Sequence, residues 1–417
     1  MNMKFHSEVI LFDFEGIPLI GNYDTGYVIG LTEEGLQVCK KALVSDVTKD
    51  EFDSVDPLLF KHLNIGKFFD HTTRKENSLE SVYLHVTQRC NLSCRGCYSD
   101  NGQRNNIPDA SLKDIKKALN DLAECGVKSL IISGGEPFLR KDLSEIIRYA
   151  KEQCCISSIN VLTNGIARDD AVLKQMKDYV SKISVSFDGY SSSCPAYIRK
   201  TQRFDELVKT VEAIQKAGIA AHIIPTIHSR NINDLGKYIA LSSSLGVTLN
   251  FSLLSCEASN ELKELVLSDI DQIKLAEEIF SANQTDPFLV SDSPIGVNIS
   301  VKKRCGAGKN TINIGADGRV FPCHLLYFDE LAFGNVFTDS LSDILKGAKA
   351  QEFFRAIEKP CIEESCRFFA LCGGGCRGRA YLETRNLSMK DSYCCMNKRY
   401  FELLGDYLKK RTSNEVR

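Results

Sequence analysis

The sequence predicts an α/β protein built around a partial (β/α)6 barrel of the TIM type, with a small α+β domain before it and a loop-rich, cysteine-rich domain after it. Three observations predict this architecture. The chain has 417 residues, enough for two or three domains of about 150 residues each. Short apolar stretches alternate with amphipathic stretches six times between residues 80 and 290. Most of its 17 cysteines are clustered, and it has no tryptophan.

Residues 1–75 are predicted to form the small α+β domain. Glycine, asparagine and aspartate, which favour turns, separate three apolar stretches of β type, namely SEVILFDF, GIPLIG and TGYVIGL. Thr32 is the expected N-cap of the following helix, and further helical turns are expected at Lys49–Phe52 and Pro57–Leu63. The polar stretch HTTRKENSLES is the expected linker.

Residues 80–290 are predicted to form the barrel. Its six expected strands are VYLHVT, KSLIIS, SSINVLTNG, KISVSFDG, IAAHIIPTIH and VTLNFSLL. Helical stretches separate the strands, which is typical of a parallel sheet with right-handed crossovers. Six units are too few to close an eight-unit barrel, so a partial barrel is expected. Functional residues should lie at the C-terminal ends of its strands.

Residues 300–400 consist of short segments rich in glycine and cysteine. The regular alternation ends here, so we expect a loop-rich domain with a modest core that metal sites stabilise. Residues 401–417 are predicted to be a C-terminal helix that frays. A further amphipathic helix is expected from Ser268 to Asn283.

Charge and hydropathy narrow the functional classes. Lysine and arginine total 52 against 54 aspartates and glutamates, and this absence of basic excess disfavours a nucleic-acid partner. Neither a signal peptide nor a membrane-spanning run is predicted, so the expected location is the cytoplasm. Disulfides are rare there, and clustered cysteines therefore indicate metal or cluster ligation.

The first cysteine group follows the first barrel strand in RCNLSCRGCYS, with Cys90, Cys94 and Cys97 in a C-x3-C-x2-C pattern. Thiolates are the usual ligands of iron–sulfur clusters. Three thiolates on one loop can hold three corners of a cubane and leave its fourth iron open to another ligand. A zinc site would need a fourth ligand, and His85 lies on the strand rather than in the loop.

The second motif is Gly134-Gly135-Glu136-Pro137, at the end of the second barrel strand. A glycine pair lets the backbone approach a ligand closely, and Glu136 can accept hydrogen bonds from an ammonium group. Alone, this motif would indicate only a turn. Beside the three-cysteine loop it indicates a binding site.

Together these motifs resemble the radical S-adenosylmethionine (SAM) superfamily. The resemblance implies a 4Fe-4S cluster on Cys90, Cys94 and Cys97, with SAM chelating the open iron. It places Gly134, Gly135 and Glu136 around the amino group of SAM. It also implies that one electron from the cluster cleaves SAM to a 5′-deoxyadenosyl radical, which abstracts hydrogen from a substrate.

The same resemblance suggests further SAM contacts. Tyr98 takes the place of an aromatic residue near the adenine. Asn164 and Ser186, at the ends of the third and fourth strands, correspond to contacts with the ribose and carboxylate, although either could simply form a turn. Asp188 and Arg230 are further candidates of the same kind.

A second cysteine group lies downstream. Twelve residues separate Cys305 from Gly318 and four separate that glycine from the next cysteine; the group comprises Cys305, Cys323, Cys361, Cys366, Cys372, Cys376, Cys394 and Cys395. So many thiols exceed the needs of one zinc ion, and two auxiliary iron–sulfur clusters account for them better. The arrangement resembles the SPASM domain, which holds auxiliary clusters in one branch of radical SAM enzymes.

The pattern departs from that family in two ways. Four residues separate Cys361 from Cys366, where the family usually has two. The first auxiliary cluster would take Cys305, Cys323 and Cys376, with no nearby upstream cysteine for its fourth corner. That corner is an open iron, a ligand other than cysteine, or a position taken by Cys394 or Cys395. The second would take Cys361, Cys366, Cys372 and either Cys394 or Cys395. The sequence does not decide between the last two.

The resemblance implies a peptide maturase. Relatives with SPASM domains mostly modify peptides, and residues 1–75 resemble the PqqD-type element that adds a leader peptide to a sheet edge. The alternative is a domain that only caps the barrel. The expected reaction on a ribosomally made precursor peptide installs a thioether, a carbon–carbon cross-link or an epimerised residue. The expected reductant is a flavodoxin or ferredoxin.

Two other functions remain open. Anaerobic sulfatase maturases, which form formylglycine, share this core but place an acidic base where this chain has His324. Histidine can exchange protons near neutral pH, so His324 is a candidate acid or base, or else a contact of the auxiliary cluster. A non-catalytic iron–sulfur electron carrier or sensor is the second alternative, although it would need no SAM motif.

Overall fold

The computed structural model describes residues 2–69, 79–100, 102–257, 261–284, 289–291, 293–296, 299–358 and 366–415. Among them no helix has the length and apolar character needed to cross a bilayer. None of the described cysteines forms a disulfide. Most of the predicted linker and Cys361 lie outside the described residues.

Residues 2–69, here called the N-terminal unit, contain a three-stranded antiparallel sheet in the order β2-β3-β4, and a separate pairing of β1 with β5. The predicted N-cap is confirmed, because the Thr32 side chain accepts a hydrogen bond from the Gly35 N–H. The elements are β1 (Asn2–Met3), β2 (Val9–Phe14), β3 (Ile17–Asn22), β4 (Val28–Gly30), α1 (Glu33–Val44), β5 (Val47–Thr48), α2 (Lys49–Asp53) and α3 (Leu59–Ile65).

Apolar clusters pack against both faces of the sheet in the N-terminal unit. Successive residues of a strand point to opposite faces, and in β3 Ile20 enters the core of the unit itself while Leu19 joins a cluster shared with the C-terminal region. Phe14 and Phe368 meet in that shared cluster with ring centroids 6.1 Å apart. The unit is therefore packed into the rest of the molecule rather than tethered to it.

The barrel prediction is confirmed. Six neighbouring parallel strands follow one another in chain order, and helices cross over between them. The strands are β6 (Ser81–His85), β7 (Ser129–Ser133), β8 (Ser158–Thr163), β9 (Lys182–Phe187), β10 (Ala221–Ile227) and β11 (Thr248–Leu253). The helices are α4 (Leu112–Glu124), α5 (Leu143–Glu152), α6 (Asp170–Met176), α7 (Phe204–Lys216) and α8 (Leu235–Leu245), followed by α9 (Asp269–Ala282) and a short parallel strand β12 (Leu289–Val290).

The C-terminal region is more regular than the sequence suggested. β13 (Thr311–Ile314) pairs in parallel with β6, and β14 (Arg319–Phe321) and β15 (Gly334–Asn335) follow as antiparallel neighbours, so the sheet has ten strands. Its helices also add apolar side chains to the main core. They are α10 (Leu341–Lys346), α11 (Ala348–Glu358), α12 (Phe369–Cys372), α13 (Arg377–Thr384) and α14 (Cys394–Glu415), and single 3-10 turns lie at Pro137–Leu139, Ile232–Asp234, Lys263–Leu265 and Asp329–Leu331.

The two faces of the barrel sheet differ in character. On β6, Val82 and Leu84 are fully buried in the core between sheet and helices. Tyr83 alternates with them and faces the barrel interior, as do polar residues of later strands. Two of these, Ser184 and Asn160, share a hydrogen bond of 2.9 Å. The interior is therefore suited to bind a polar molecule, and the strand ends bring the predicted motifs to it.

Candidate cluster and cofactor site

The three-cysteine loop begins where β6 ends, at the C-terminal edge of the barrel sheet. Cys90, Cys94 and Cys97 are all partly buried. Burial raises the pKa of the Cys90 thiol and raises that of Cys94 to about 11. The loop thus presents three soft sulfur donors from one short segment.

The Gly-Gly-Glu-Pro turn is packed directly against this loop. The Gly135 N–H donates to the Thr87 carbonyl and the Glu136 N–H donates to the Arg89 carbonyl, both at 2.8 Å. A Cβ at Gly134 would collide with the Thr87 carbonyl oxygen, and one at Gly135 with that of Arg89. The glycines are therefore required for backbone-to-backbone contact between the two motifs.

Glu136 is fully buried and links two strand ends. Its carboxylate accepts hydrogen bonds from the Thr163 hydroxyl and the Asn164 N–H, each at 2.8 Å, and from the Phe138 N–H at 3.1 Å. Burial raises the pKa of Glu136 despite these bonds. The side chain thus holds the end of β8 beside the cysteine loop, and its contact with the amino group of SAM stays a prediction.

Two other predicted residues lie beside the cysteines. The Asn164 side-chain amide donates to Cys90 Sγ at 3.8 Å and to Asn91 Oδ1 at 2.8 Å. Tyr98 remains partly exposed, and its hydroxyl lies 2.8 Å from Ser133 Oγ at the end of β7. Both are placed where a ligand on the cysteine loop would meet them.

The loop after β9 contributes Arg199, which was not among the residues predicted from the sequence. The Arg199 guanidinium is 5% exposed, donates to the Ser186 carbonyl at 2.7 Å and lies 3.7 Å from the Asp188 carboxylate. Its Nη1 is buried with no hydrogen-bond partner among the described residues. Arg199 also acts electrostatically on Cys94. A buried guanidinium with a spare donor beside the cysteine loop is suited to bind a carboxylate.

The predicted candidates of β9 and β10 are placed differently. Burial raises the pKa of Asp188, and Arg199 opposes that shift. Ser186 offers its carbonyl to Arg199, as described above. Arg230, by contrast, is exposed, so its contact with SAM stays a prediction.

The donor set of this loop suits an iron–sulfur cluster. Cys97 Sγ accepts a hydrogen bond from Arg104 at 3.0 Å and lies 3.2 Å from Ser99 Oγ. Such donors to sulfur are typical of cluster sites. Among the described residues, no three His, Cys, Asp or Glu side chains are grouped closely enough to hold a single metal ion.

The second cysteine group borders a large cavity. Its volume is about 1210 Å³, and Cys305, Cys323 and Cys376 lie on its wall together with Cys372. The same wall includes Tyr23 and Asp24 of the N-terminal unit and Tyr83 and Ile131 of the barrel interior. The three parts of the molecule therefore share one cavity.

A smaller cavity is lined by three cysteines of the second group, one of which it shares with the large cavity. Cys366, Cys372 and Cys394 line it, whereas Cys395 forms a hydrogen bond with the Asp269 carboxylate. The geometry thus favours Cys394 over Cys395 as the fourth ligand of the second auxiliary cluster. Cys361, predicted as another ligand, lies outside the described residues.

A buried ion pair connects the chain segment of Cys376, on the large cavity, with that of Cys394, on the small cavity. Arg379 and Asp391 side chains are 1% and 2% exposed and form two hydrogen bonds of 2.8 Å. The Asp391 carboxylate also accepts from the Cys376 N–H at 2.8 Å, while its carbonyl accepts from the Cys394 N–H at 2.9 Å. Burial would raise the pKa of Asp391, but Arg379 and the N–H donors hold it below its usual range.

His324 lies between the two cysteine regions. It is buried, and its ring stacks on Tyr83 with centroids 4.3 Å apart. The Tyr98 ring meets it edge to face at 5.3 Å. Because Tyr98 follows Cys97 and His324 follows Cys323 in the chain, this contact joins the cysteine loop to the large cavity.

Two family models match the chain. Residues 84–241 match the radical SAM superfamily, and residues 305–373 match SPASM, an iron–sulfur cluster-binding domain. Mycofactocin maturase MftC of Mycobacterium tuberculosis H37Rv is 27% identical over 322 residues, which cover 74% of this chain and 81% of that protein. PqqA peptide cyclase of Granulibacter bethesdensis is 25% identical over 343 residues, which cover 76% and 87%.

Solved structures share the fold. The anSMEcpe enzyme with bound AdoMet and the Cp18Cys peptide superposes with a TM-score of 0.66 at 18% identity, covering 81% of this chain and 99% of that chain. Streptococcus suis SuiB bound to its precursor peptide SuiA superposes with a TM-score of 0.61 at 15% identity, covering 94% and 100%.

Proposed function

This chain is a radical SAM enzyme with a SPASM domain, and we propose that it matures a ribosomally made precursor peptide. Radical SAM domains bind a 4Fe-4S cluster with SAM, and SPASM domains bind auxiliary iron–sulfur clusters. When bound, SAM and its cluster supply a 5′-deoxyadenosyl radical that abstracts hydrogen from the substrate. The curated relatives include mycofactocin maturases, PqqA peptide cyclase and the subtilosin biosynthesis protein AlbA of Bacillus subtilis.

In this proposal, different residues near the strand ends bind or position different parts of the cluster and SAM. Cys90, Cys94 and Cys97 hold the SAM cluster, and Arg199 offers its spare donor to the SAM carboxylate. Glu136 fixes the end of β8, so that Asn164 stays beside the cysteines. These side chains orient the cofactor, and the chemistry belongs to the cofactor itself.

The observation that best supports a peptide substrate is the size of the large cavity. Ligand sites for small molecules usually enclose roughly 300–1,000 Å³, and this cavity of about 1210 Å³ exceeds that range. An auxiliary cluster on Cys305, Cys323 and Cys376 would fill one part of it. The rest extends to Tyr23 of the N-terminal unit, which suits an extended peptide better than a compact metabolite.

The N-terminal unit offers an edge for the leader part of the peptide. Ion pairs fix both ends of β2 to the C-terminal region, Glu8 to Lys303 at 2.7 Å and Glu15 to Arg367 at 2.9 Å. The edge at the other side of the three-stranded sheet is β4. A peptide strand can add to such an edge through backbone hydrogen bonds.

Exposed apolar side chains lie on α3, a helix that approaches the start of β4. Tyr27, directly before that strand, lies 3.4 Å from His62 of α3 through its hydroxyl, so α3 runs close to the start of β4. Leu58, the N-cap of α3, and Ile65, its last residue, are seven positions apart and hence on one side of the helix; they are 57% and 55% exposed. They would bind apolar side chains of the leader.

The first experiment tests catalysis. Anaerobically reconstituted enzyme, given dithionite and SAM, should release 5′-deoxyadenosine, and the Cys90→Ala/Cys94→Ala/Cys97→Ala variant should release none while keeping part of its iron. Wild-type turnover by the triple variant would contradict the ligand assignment. No SAM cleavage by the wild type would favour the electron carrier.

The second experiment tests the substrate. Small peptides encoded beside the gene are incubated with the enzyme and analysed by mass spectrometry. Loss of two hydrogens indicates a thioether or carbon–carbon cross-link, and deuterium uptake from D2O without mass loss in H2O indicates epimerisation. A peptide aldehyde would instead support the sulfatase-maturase alternative.

The third experiment tests the leader site. The variant Leu58→Asp/Ile65→Asp should weaken binding of the same peptide at least tenfold while leaving uncoupled SAM cleavage unchanged. Val44→Asp is the matched control, because Val44 is 75% exposed in the same unit but lies on α1, away from β4. Equal binding by both variants would favour a unit that only caps the barrel.

A further inference from the structure

The segment that follows the third cysteine folds back over the cysteine loop. Its two central residues are Arg104 and Asn105, and they contact the loop in different ways. Asn105 holds main chain only: its side chain accepts from the Cys90 N–H at 2.8 Å and donates to the Cys90 carbonyl at 3.2 Å. Its backbone is left-handed with φ +60°, which asparagine tolerates better than most residues.

Arg104 instead brings a positive charge to a sulfur atom. Its side chain is 10% exposed, and Nη2 donates to Cys97 Sγ at 3.0 Å and to Ser99 Oγ at 3.4 Å. Nη1 donates to the Leu92 carbonyl at 3.3 Å, and Nε lies 3.3 Å from the Asp100 carboxylate. The planar guanidinium is thus fixed on three sides with one donor aimed at the thiol.

The loop offers an arginine for comparison. Arg95 lies between Cys94 and Cys97 in the chain and carries the same charge. Its guanidinium donates twice to the Tyr197 carbonyl, at 3.1 and 2.6 Å. No hydrogen bond from Arg95 to a cysteine sulfur occurs among the described residues. The two arginines therefore carry the same charge but differ in their contact with cysteine sulfur.

We propose that Arg104 is a positioning residue that raises the reduction potential of the SAM cluster through its hydrogen bond to Cys97 Sγ. Hydrogen bonds to cluster sulfurs are one of the factors that set the potential, and a charged donor forms the stronger bond. One electron from the external reductant makes the cluster more negative. A buried cation at 3.0 Å from a ligand sulfur stabilises that reduced form more than the oxidised form.

This inference rests on the proposed ligands Cys90, Cys94 and Cys97, but not on the peptide substrate. Its test therefore uses no peptide, and it can fail while the proposed function stands. The full-length, anaerobically reconstituted enzyme is titrated with a graded reductant, and the SAM-sensitive EPR signal is followed, because only the cluster that binds SAM responds to its addition.

The variants are Arg104→Gln and, as the matched control, Arg95→Gln. In Arg104→Gln we expect the ratio of reduced to oxidised SAM cluster at a fixed potential to fall at least tenfold, which for one electron is about 59 mV. In Arg95→Gln we expect the wild-type ratio. An unchanged ratio in Arg104→Gln, or an equal change in both variants, would overturn the proposal.

If Arg104→Gln fails to bind the SAM cluster, its potential cannot be measured, and a second measurement tests the hydrogen bond directly. Wild-type enzyme labelled with 15N-arginine should show a weak nitrogen coupling to the reduced cluster by pulsed EPR. The coupling should diminish in Arg104→Lys, which keeps the charge but lacks the guanidinium. Identical pulsed EPR spectra from labelled wild type and labelled Arg104→Lys would refute the hydrogen bond.

Discussion

The buried pair of Arg379 and Asp391 makes the sharpest stability prediction. Replacing Arg379 with Met removes the cation and leaves a carboxylate that is 2% exposed without its countercharge. Removing one partner of a buried ion pair typically costs about 3–5 kcal/mol. The Arg379 guanidinium also lies 5.2 Å from the Tyr393 ring centroid, so the packing of that ring is lost as well. For a 417-residue chain that unfolds as one unit, this loss corresponds to a melting temperature roughly 3–6 °C lower in Arg379→Met at neutral pH.

The pH dependence has a definite sign. In the wild type the pKa of Asp391 is lowered, so the pair contributes its full stability above the ordinary aspartate pKa of about 3.9 and loses it only as pH falls below that value. In Arg379→Met, burial raises the pKa of Asp391. Its destabilisation is therefore relieved as pH falls, and the difference from wild type should be smaller at pH 5.5 than at pH 8.

Thermal unfolding and iron content of reconstituted protein, measured at both pH values, check this prediction. Iron should fall in Arg379→Met, because Asp391 binds the main chain at both Cys376 and Cys394. Arg399→Met is the control: Arg399 is paired with Glu277 at 2.7 Å but is 33% exposed, and such surface pairs contribute about 1 kcal/mol or less. A variant as stable as this control, or one whose deficit grows at lower pH, would refute the reasoning.

Three further predictions concern individual residues. Cys394→Ala should lose the iron of one cluster while Cys395→Ala keeps it, as iron and sulfide analysis would show. Arg199→Gln should weaken SAM binding roughly 10- to 100-fold, the effect of one hydrogen bond to a charged group, whereas Arg230→Gln should leave the dissociation constant unchanged in equilibrium dialysis. His324→Gln should keep its iron and its uncoupled SAM cleavage but modify peptide roughly 100-fold more slowly or worse if His324 transfers a proton; loss of iron would instead indicate a cluster contact.

The barrel could be predicted because its signals are local. Each strand is a short apolar stretch, and several helices carry a side-chain cap; Ser111, for example, accepts from the Asp114 N–H at the start of α4. The pairing of the cysteine loop with Gly134 and Gly135 was also accessible, since parallel neighbouring strands end at the same edge of a sheet. The physical reason for those glycines was not, because it depends on the carbonyls that they approach.

Features that depend on how distant parts of the chain fold together could not be predicted from the sequence. Arg199 follows Asp188 by eleven positions and enters the site only because the loop after β9 folds back; the one sequence signal was the opposite charge of these two residues. β13–β15 are two to four residues long, too short for a period to be read. Cys394 and Cys395 are adjacent and identical, so only the orientation of α14 distinguishes them.

The contact between Tyr98 and His324 bears on how the parts of the enzyme cooperate. Each residue directly follows a proposed cluster ligand, Cys97 in one case and Cys323 in the other, and their rings meet at 5.3 Å. His324 also lies on the wall of the cavity that reaches the N-terminal unit. A peptide that contacts His324 would therefore lie beside the SAM site and the first auxiliary site at once. The N-terminal unit shares an apolar cluster with the barrel and the C-terminal region, and those two parts share one sheet. We therefore infer that removing the N-terminal unit would expose the apolar residues packed against Phe14 and Leu19 and destabilise the whole chain. Point variants on β4 and α3, rather than truncation, are the appropriate test of leader binding.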